Sequence, residues 1–208
     1  MDREHDRVCQ QLSAACFQAG VNFDVRRSKG DPFEVIPREA QFHDLVVTGH
    51  LSQQGPLGEQ GLTAAETLAL LSCGVQPLLV LRDAESEIRR VLLVTDGLLA
   101  SAKAIRQFLS QNLFPAAEQR LLAIGATDEQ AQELLREMAE YSRSRQLDCE
   151  SGWLRGSLRR MLLPYAQKWQ ADLVVMGIPK GNSILRTLLP DPARLILQQT
   201  NMGLYLMA

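Results

Sequence analysis

Two stretches of the chain carry the same order of apolar and polar positions. GDPFEVIPREAQFHDLVVTGH occupies residues 30–50, and GSLRRMLLPYAQKWQADLVVMGI occupies residues 156–178. Each begins with a glycine and a helix-capping residue, continues with apolar residues at helical spacing, and enters a DLVV run that stops at a glycine. A further apolar run, at residues 77–81 or 203–207, closes each copy. Repetition on this scale predicts two homologous α/β units, here called the first and second repeats.

The pattern between the two copies predicts a longer second unit. Apolar runs that read as strands alternate with segments of helical periodicity. The strands are expected at residues 90–96, 120–125, 148–154, 172–176 and 204–207, and the first two helices at residues 101–109 and 127–145. Continuous apolar strands are typical of parallel sheets buried on both faces. The prediction is an α/β fold, a doubly wound parallel sheet of five strands alternating with four helices.

The first unit lacks a counterpart to this opening. A helix is predicted from about Asp2 to Ala19, with Gly20 as its C-cap, and a strand at residues 21–26. Asp31 followed by Pro32 predicts a helix start. The charged linker 82–90 predicts a boundary between units 1–86 and 87–208, the first of them truncated by two strands and one helix.

Two arrangements would give the predicted strand at residues 21–26 a strand to pair with. It can move inward and pair with residues 45–48, because a right-handed crossover permits adjacent parallel strands. Alternatively, a second chain fills the gap. We expect the inward shift, in a three-stranded remnant that docks on the second unit within a homodimer.

Composition excludes several classes of function. A formal net charge of -2 argues against nucleic-acid binding. The apolar stretch 62–81 is interrupted by Glu66, Gly74, Gln76 and Pro77, so no membrane span is expected. The sequence starts with MDREHDRVC, which is not typical of a signal peptide. Four cysteines without a CxxC pair predict a reducing, cytoplasmic location.

The ordered features resemble the universal stress protein family in its tandem form. The resemblance rests on RRVLLVTDG followed by SAKAI, on ADLVVMG with its loop, and on the Gly-Asp-Pro that precedes DLVVTG. It covers the second unit and the first unit from its second helix onward. It implies a strand order of 3-2-1-4-5 and pairing of the last strands of the two units across a pseudo-twofold axis.

ATP-binding members of that family resemble one another in a Gly-x2-Gly-x9-Gly-Ser/Thr loop and in an aspartate that ends the first strand. Asp96 matches the aspartate and Gly177 the first glycine, but Lys180, Pro190 and Asp191 stand at the next three motif positions. Proline removes an N–H donor, and a carboxylate repels phosphate and can cap its own helix instead. We therefore expect weak or absent ATP binding.

The candidate nucleotide-binding residues lie on two loops that follow strands. They are Thr95, Asp96, Gly177, Lys180, Gly181, Asn182 and Ser183. His5 and Cys9 are one helical turn apart but have no further ligand at metal spacing, so no metal site is expected.

No catalytic motif is present, and we do not expect an enzyme. The favoured function is that of a cytoplasmic universal stress protein that acts in the stress response through assembly or partner binding, with a degenerate nucleotide pocket and no cofactor. The alternative is a member that binds ATP or AMP with Mg as a nucleotide sensor or slow ATPase. A weaker third interpretation is an enzyme of another adenine-binding α/β family.

Overall fold

The computed structural model describes residues 2–26, 28–49, 62–81, 87–144, 149–179 and 192–208. The helices of these residues are α1 (Asp2–Gln18), α2 (Pro32–Ala40), α3 (Ala64–Ser72), α4 (Leu99–Gln111), α5 (Asp128–Ser144), α6 (Leu158–Trp169) and α7 (Pro192–Gln199). The strands are β1 (Val46–Gly49), β2 (Leu78–Leu81), β3 (Arg90–Thr95), β4 (Glu118–Gly125), β5 (Glu150–Arg155), β6 (Leu173–Gly177) and β7 (Gly203–Met207).

All seven strands form one sheet in the order β1-β2-β7-β6-β3-β4-β5. Strands β3 to β7 pair in parallel, and their order in the sheet is the 3-2-1-4-5 order expected for the second unit. The α/β fold and its doubly wound topology are therefore confirmed. The helices α4 to α7 connect these strands in sequence.

The strands that end the two repeats lie side by side and antiparallel. Leu79 of β2 lies opposite Tyr205 of β7, with Leu78 opposite Leu206 on one side of this pair. Antiparallel pairing of equivalent strands is what a pseudo-twofold axis between the repeats produces, as the family resemblance implies.

Helices cover both faces of the central strands. On one face, Ala104, Ile105 and Phe108 of α4 and Met138 of α5 join a core with alternate residues of the sheet. On the other face lie α6 and α7, with α3 of the first repeat packed against α7. Burial on both faces explains why the strand sequences are continuous apolar runs.

The prediction for residues 21–26 is wrong. They form no strand in the structure, and β1 pairs with β2 instead. The first repeat thus contributes two strands rather than a three-stranded remnant, among the residues that the structure describes. An alternating apolar and polar pattern favours an extended backbone, but the pairing partner depends on the tertiary context.

The chain separates into two compact units, Met1–Val35 and Ile36–Ala208, and all seven strands belong to the second. Within Met1–Val35, α1 ends at Gln18, one residue before the predicted Ala19, and Gly20 takes the left-handed conformation of a C-cap glycine with a φ of 66°. The predicted start of α2 is also confirmed, because the backbone N–H of Phe33 donates to the Asp31 carboxylate at 2.9 Å. The division between residues 86 and 87 remains a prediction about the repeats.

Candidate functional site

The strand order reverses between β3 and β6, and the sequence-predicted site residues lie at that point. β3 ends at Thr95, with Asp96 directly after it, and the neighbouring parallel strand β6 ends at Gly177. Ligands of open α/β sheets bind outside the carboxyl ends of the strands at such a reversal. The structure therefore places Thr95, Asp96 and Gly177 at the adjacent carboxyl ends of two neighbouring strands.

Thr95 makes its contacts in the protein interior. Its side chain is buried, and its hydroxyl lies 3.3 Å from the Ser101 hydroxyl. The same Thr95 oxygen accepts a bond from the backbone N–H of Gly97 at 3.3 Å. These contacts fix the turn between β3 and α4, and they use the Thr95 hydroxyl within the fold.

Asp96 closes the same turn from outside. Its Oδ1 atom accepts a hydrogen bond from the backbone N–H of Leu98 at 3.1 Å. Gly97, between them, has a φ of 82°, a conformation that glycine adopts without strain. Asp96 thus has a local structural role in ordering the entry into α4, and only one of its oxygens is used in this bond.

Gly177 has a packing reason to be glycine. A Cβ atom built on it would lie 2.0 Å from the carbonyl carbon of Ala100 and 2.1 Å from the backbone nitrogen of Ser101. The end of β6 therefore touches the backbone of the first turn of α4, and no side chain fits between them. The small residues Ala100, Ser101 and Ala104 were the sequence signal for this close approach, and the motif comparison missed it.

Apolar side chains are exposed at the start of α4. The N-cap residue Leu98 makes no side-chain capping bond. Leu98 is 47% exposed and Leu99 is 68% exposed. This part of the carboxyl edge presents leucines where a polar ligand would require hydrogen-bond donors.

The remaining predicted residues, Lys180, Gly181, Asn182 and Ser183, lie outside the described residues, as do Pro190 and Asp191. Helix α7 begins at Pro192, directly after Asp191 in the sequence. The structure thus places Thr95, Asp96 and Gly177 together, and the loop after Gly177 stays a prediction.

No protein-family model matches the chain, and no curated protein matches it. Solved structures do. A universal stress protein from Archaeoglobus fulgidus DSM 4304 superposes with a TM-score of 0.76 at 14% identity, and the match covers 100% of this chain and 79% of that one. A protein of unknown function from Pseudomonas aeruginosa PAO1 gives a TM-score of 0.66 at 15% identity, with 98% and 77% covered. The fold is that of the universal stress proteins.

The amino edge of this universal stress protein fold carries a polar network that the sequence analysis did not single out. Arg90 and Glu118 are paired at 3.4 Å across β3 and β4, and Arg120 bonds Glu150 across β4 and β5. The Arg120 guanidinium also lies 4.9 Å from the ring centre of Trp169. Opposite charges on neighbouring strands stabilise a sheet. The signal was the charged first residues of β3, β4 and β5, which are Arg90, Glu118 and Glu150.

Proposed function

We propose that the chain is a universal stress protein that acts in the cytoplasmic stress response through assembly or partner binding, without a working nucleotide pocket. The observation that carries this proposal is that three candidate site residues make contacts that stabilise the fold itself. Thr95 bonds Gly97, Asp96 bonds Leu98, and Gly177 packs on the backbone of Ala100. Each of these contacts serves the fold, so none of the three residues needs a nucleotide to explain it.

The exposed surface beside the site also supports the proposal. Exposed leucines at residues 98 and 99 make the carboxyl edge apolar beside the site. Apolar groups of this kind contribute to protein contacts more readily than to phosphate binding. Among the helices of the described residues, none is long and apolar enough to cross a membrane.

Calorimetric titration with Mg-ATP and with Mg-AMP tests the pocket. We expect no saturable heat at millimolar nucleotide, and no rise in melting temperature, because a ligand that binds only the native state stabilises it by RT ln(1 + [L]/Kd). Micromolar affinity would overturn the proposal. The triple variant Lys180→Gly, Pro190→Gly, Asp191→Ser restores the glycines and the hydroxyl, and we expect it to bind more tightly than the wild type.

One observation favours the alternative, a nucleotide sensor or slow ATPase. Asp96 is only partly buried, lies at the strand-order reversal, and uses only Oδ1 in its bond to Leu98. Native mass spectrometry of gently purified protein distinguishes the two functions. A retained adenine nucleotide that is lost in Asp96→Ala, together with phosphate release from ATP, would support the alternative.

A further inference from the structure

Among the described residues, the outer edge of β1 has no neighbouring strand. The backbone N–H of Val46 donates to the Pro77 carbonyl at 3.1 Å, so the N–H and C=O groups of Val46 and Thr48 face β2. In a parallel pair the intervening residue points its backbone groups the other way. The N–H and C=O of Val47 therefore face outward.

Within the described residues, no strand pairs with this edge. Leu62 donates its N–H to the Gly49 carbonyl at 3.0 Å, which occupies only the carboxyl end of β1. The side chain of Val47 is 58% exposed, and Phe42, just before the strand, is also exposed. Natural sheets rarely leave an edge with exposed apolar residues uncovered.

Residues 21–26, VNFDVR, have the complementary property. Their sequence alternates apolar and polar positions as a half-buried strand does, yet they belong to no sheet. Val21, Phe23 and Val25, the apolar set, are all exposed. The described part of the chain thus contains a strand-like segment that joins no sheet and a sheet edge that pairs with no strand.

We propose that residues 21–26 of a second copy add to the outer edge of β1, with Phe23 opposite Val47, and that the exchange is reciprocal in a twofold dimer. This inference rests on the assembly part of the proposed function. Strand addition satisfies the outward backbone groups of Val47 through main-chain bonds, while the apolar side chains of the segment cover its exposed face. We take a second copy as the occupant because residues 21–26 join no strand of their own chain among the described residues. Reciprocal exchange also gives each copy both contacts at once.

The Val47→Pro variant tests the edge. It removes only an outward N–H, and proline is tolerated at such edge positions. Val47→Thr is the matched control, because it keeps the N–H, the size and the β-branch. In sedimentation over a concentration series, we expect dimers of the wild type and of Val47→Thr, and a monomer of Val47→Pro with an unchanged circular dichroism spectrum.

The outcomes distinguish strand exchange at β1 from homodimer assembly in general. A dimer that persists in Val47→Pro would overturn strand exchange and leave assembly through another surface intact. A wild-type chain that stays monomeric throughout the series would overturn both the exchange and homodimer assembly. Neither result bears on the nucleotide titration, which tests the pocket separately.

Disulfide trapping identifies the occupant. One copy carries Phe23→Cys and the other, with a different affinity tag, carries Val47→Cys, both with the native cysteines Cys9, Cys16, Cys73 and Cys149 replaced by serine. We expect a covalent heterodimer on oxidation, and much less of it when Asn22→Cys replaces Phe23→Cys, because residue 22 faces the other side. A chain bearing both Phe23→Cys and Val47→Cys that closes only within itself would show pairing in cis and would overturn the proposal.

Discussion

β1 and β6 have nearly the same sequence and very different surroundings. HDLVVTG at residues 43–49 and ADLVVMG at residues 171–177 both form parallel strands that end at a glycine. Every residue of β6 is buried, whereas β1 alternates between partly buried and exposed positions. β6 lies between β3 and β7, while β1 has a described neighbour only in β2.

The difference extends to residues that match one for one. A Cβ on Gly177 would collide with the backbone of α4, but a Cβ on Gly49 would meet nothing within 4 Å among the described residues. The Asp172 carboxylate, just before β6, accepts hydrogen bonds from two backbone N–H groups. At Asp44, just before β1, the acceptor of the described hydrogen bond is the main-chain carbonyl and not the side chain. The same local sequence thus forms a strand in both places. The position of the strand in the sheet decides how much each residue contributes to the free energy of unfolding.

The glycines give the largest expected contrast. Gly177→Ala should lower the free energy of unfolding by roughly 3 kcal/mol or more, because β6 and α4 must separate to admit a methyl group. Gly49→Ala should change it by less than about 0.5 kcal/mol. Urea denaturation followed by circular dichroism measures both. Equal losses in the two variants would show that the β6–α4 approach is not limiting.

The matched valines come next. Val175 is fully buried between the helix layers and Val47 is mostly exposed. We expect Val175→Ala to cost about 2 kcal/mol through lost burial and a residual cavity. Val47→Ala should cost less than about 0.5 kcal/mol in the monomer. The same denaturation experiment, at a concentration below any association, checks the pair. A large loss in Val47→Ala alone would reverse the comparison.

The buried strands could be predicted from the sequence, whereas the partners of the exposed segments could not. Where strands are buried on both sides, as at Leu93 and Val175, continuous apolar runs are enough to predict the strands, and the family resemblance implied their order. Where a segment has no fixed neighbour, as at residues 21–26, the pattern gives the extended backbone but not its partner. At the site, Asp96 and Gly177 were found by motif, but their roles were not. The contact of Gly177 with Ala100 joins residues 77 positions apart, and only the fold reveals it.

The aspartates before the two strands predict a smaller contrast. Asp172 Oδ2 accepts the backbone N–H groups of Arg89 and Arg90 at 2.9 and 2.8 Å, which ties the start of β6 to the start of β3. Asp172→Ala leaves both donors without this partner and should cost about 1–3 kcal/mol. Asp44→Ala keeps the carbonyl that accepts from Gln111 and should cost less than about 0.5 kcal/mol. Similar decreases in melting temperature for the two variants would contradict this role of the Asp172 carboxylate.

The smallest contrast is in pH dependence, between α3 and its counterpart α7. Thr63 and Glu66 form a reciprocal capping box in which the backbone N–H of Thr63 donates to Glu66 Oε2 at 2.8 Å. This bond holds the pKa of Glu66 below its ordinary value of 4.5. The first turn of α7 has no acidic residue.

A carboxyl group with a depressed folded pKa stabilises the protein above its unfolded pKa, and that contribution is lost as the pH falls through the folded value. We expect the amide resonance of Thr63 to titrate with a midpoint below pH 4.5 as Glu66 is protonated, and this titration to vanish in Glu66→Gln. Gln can still accept the bond, so the variant isolates the charge. A similar transition at the first-turn amides of α7 would have to come from Asp191, the predicted cap before Pro192, because the first turn itself has no acidic residue. A Thr63 midpoint at or above the ordinary glutamate value would mean that the capping bond does not persist in solution.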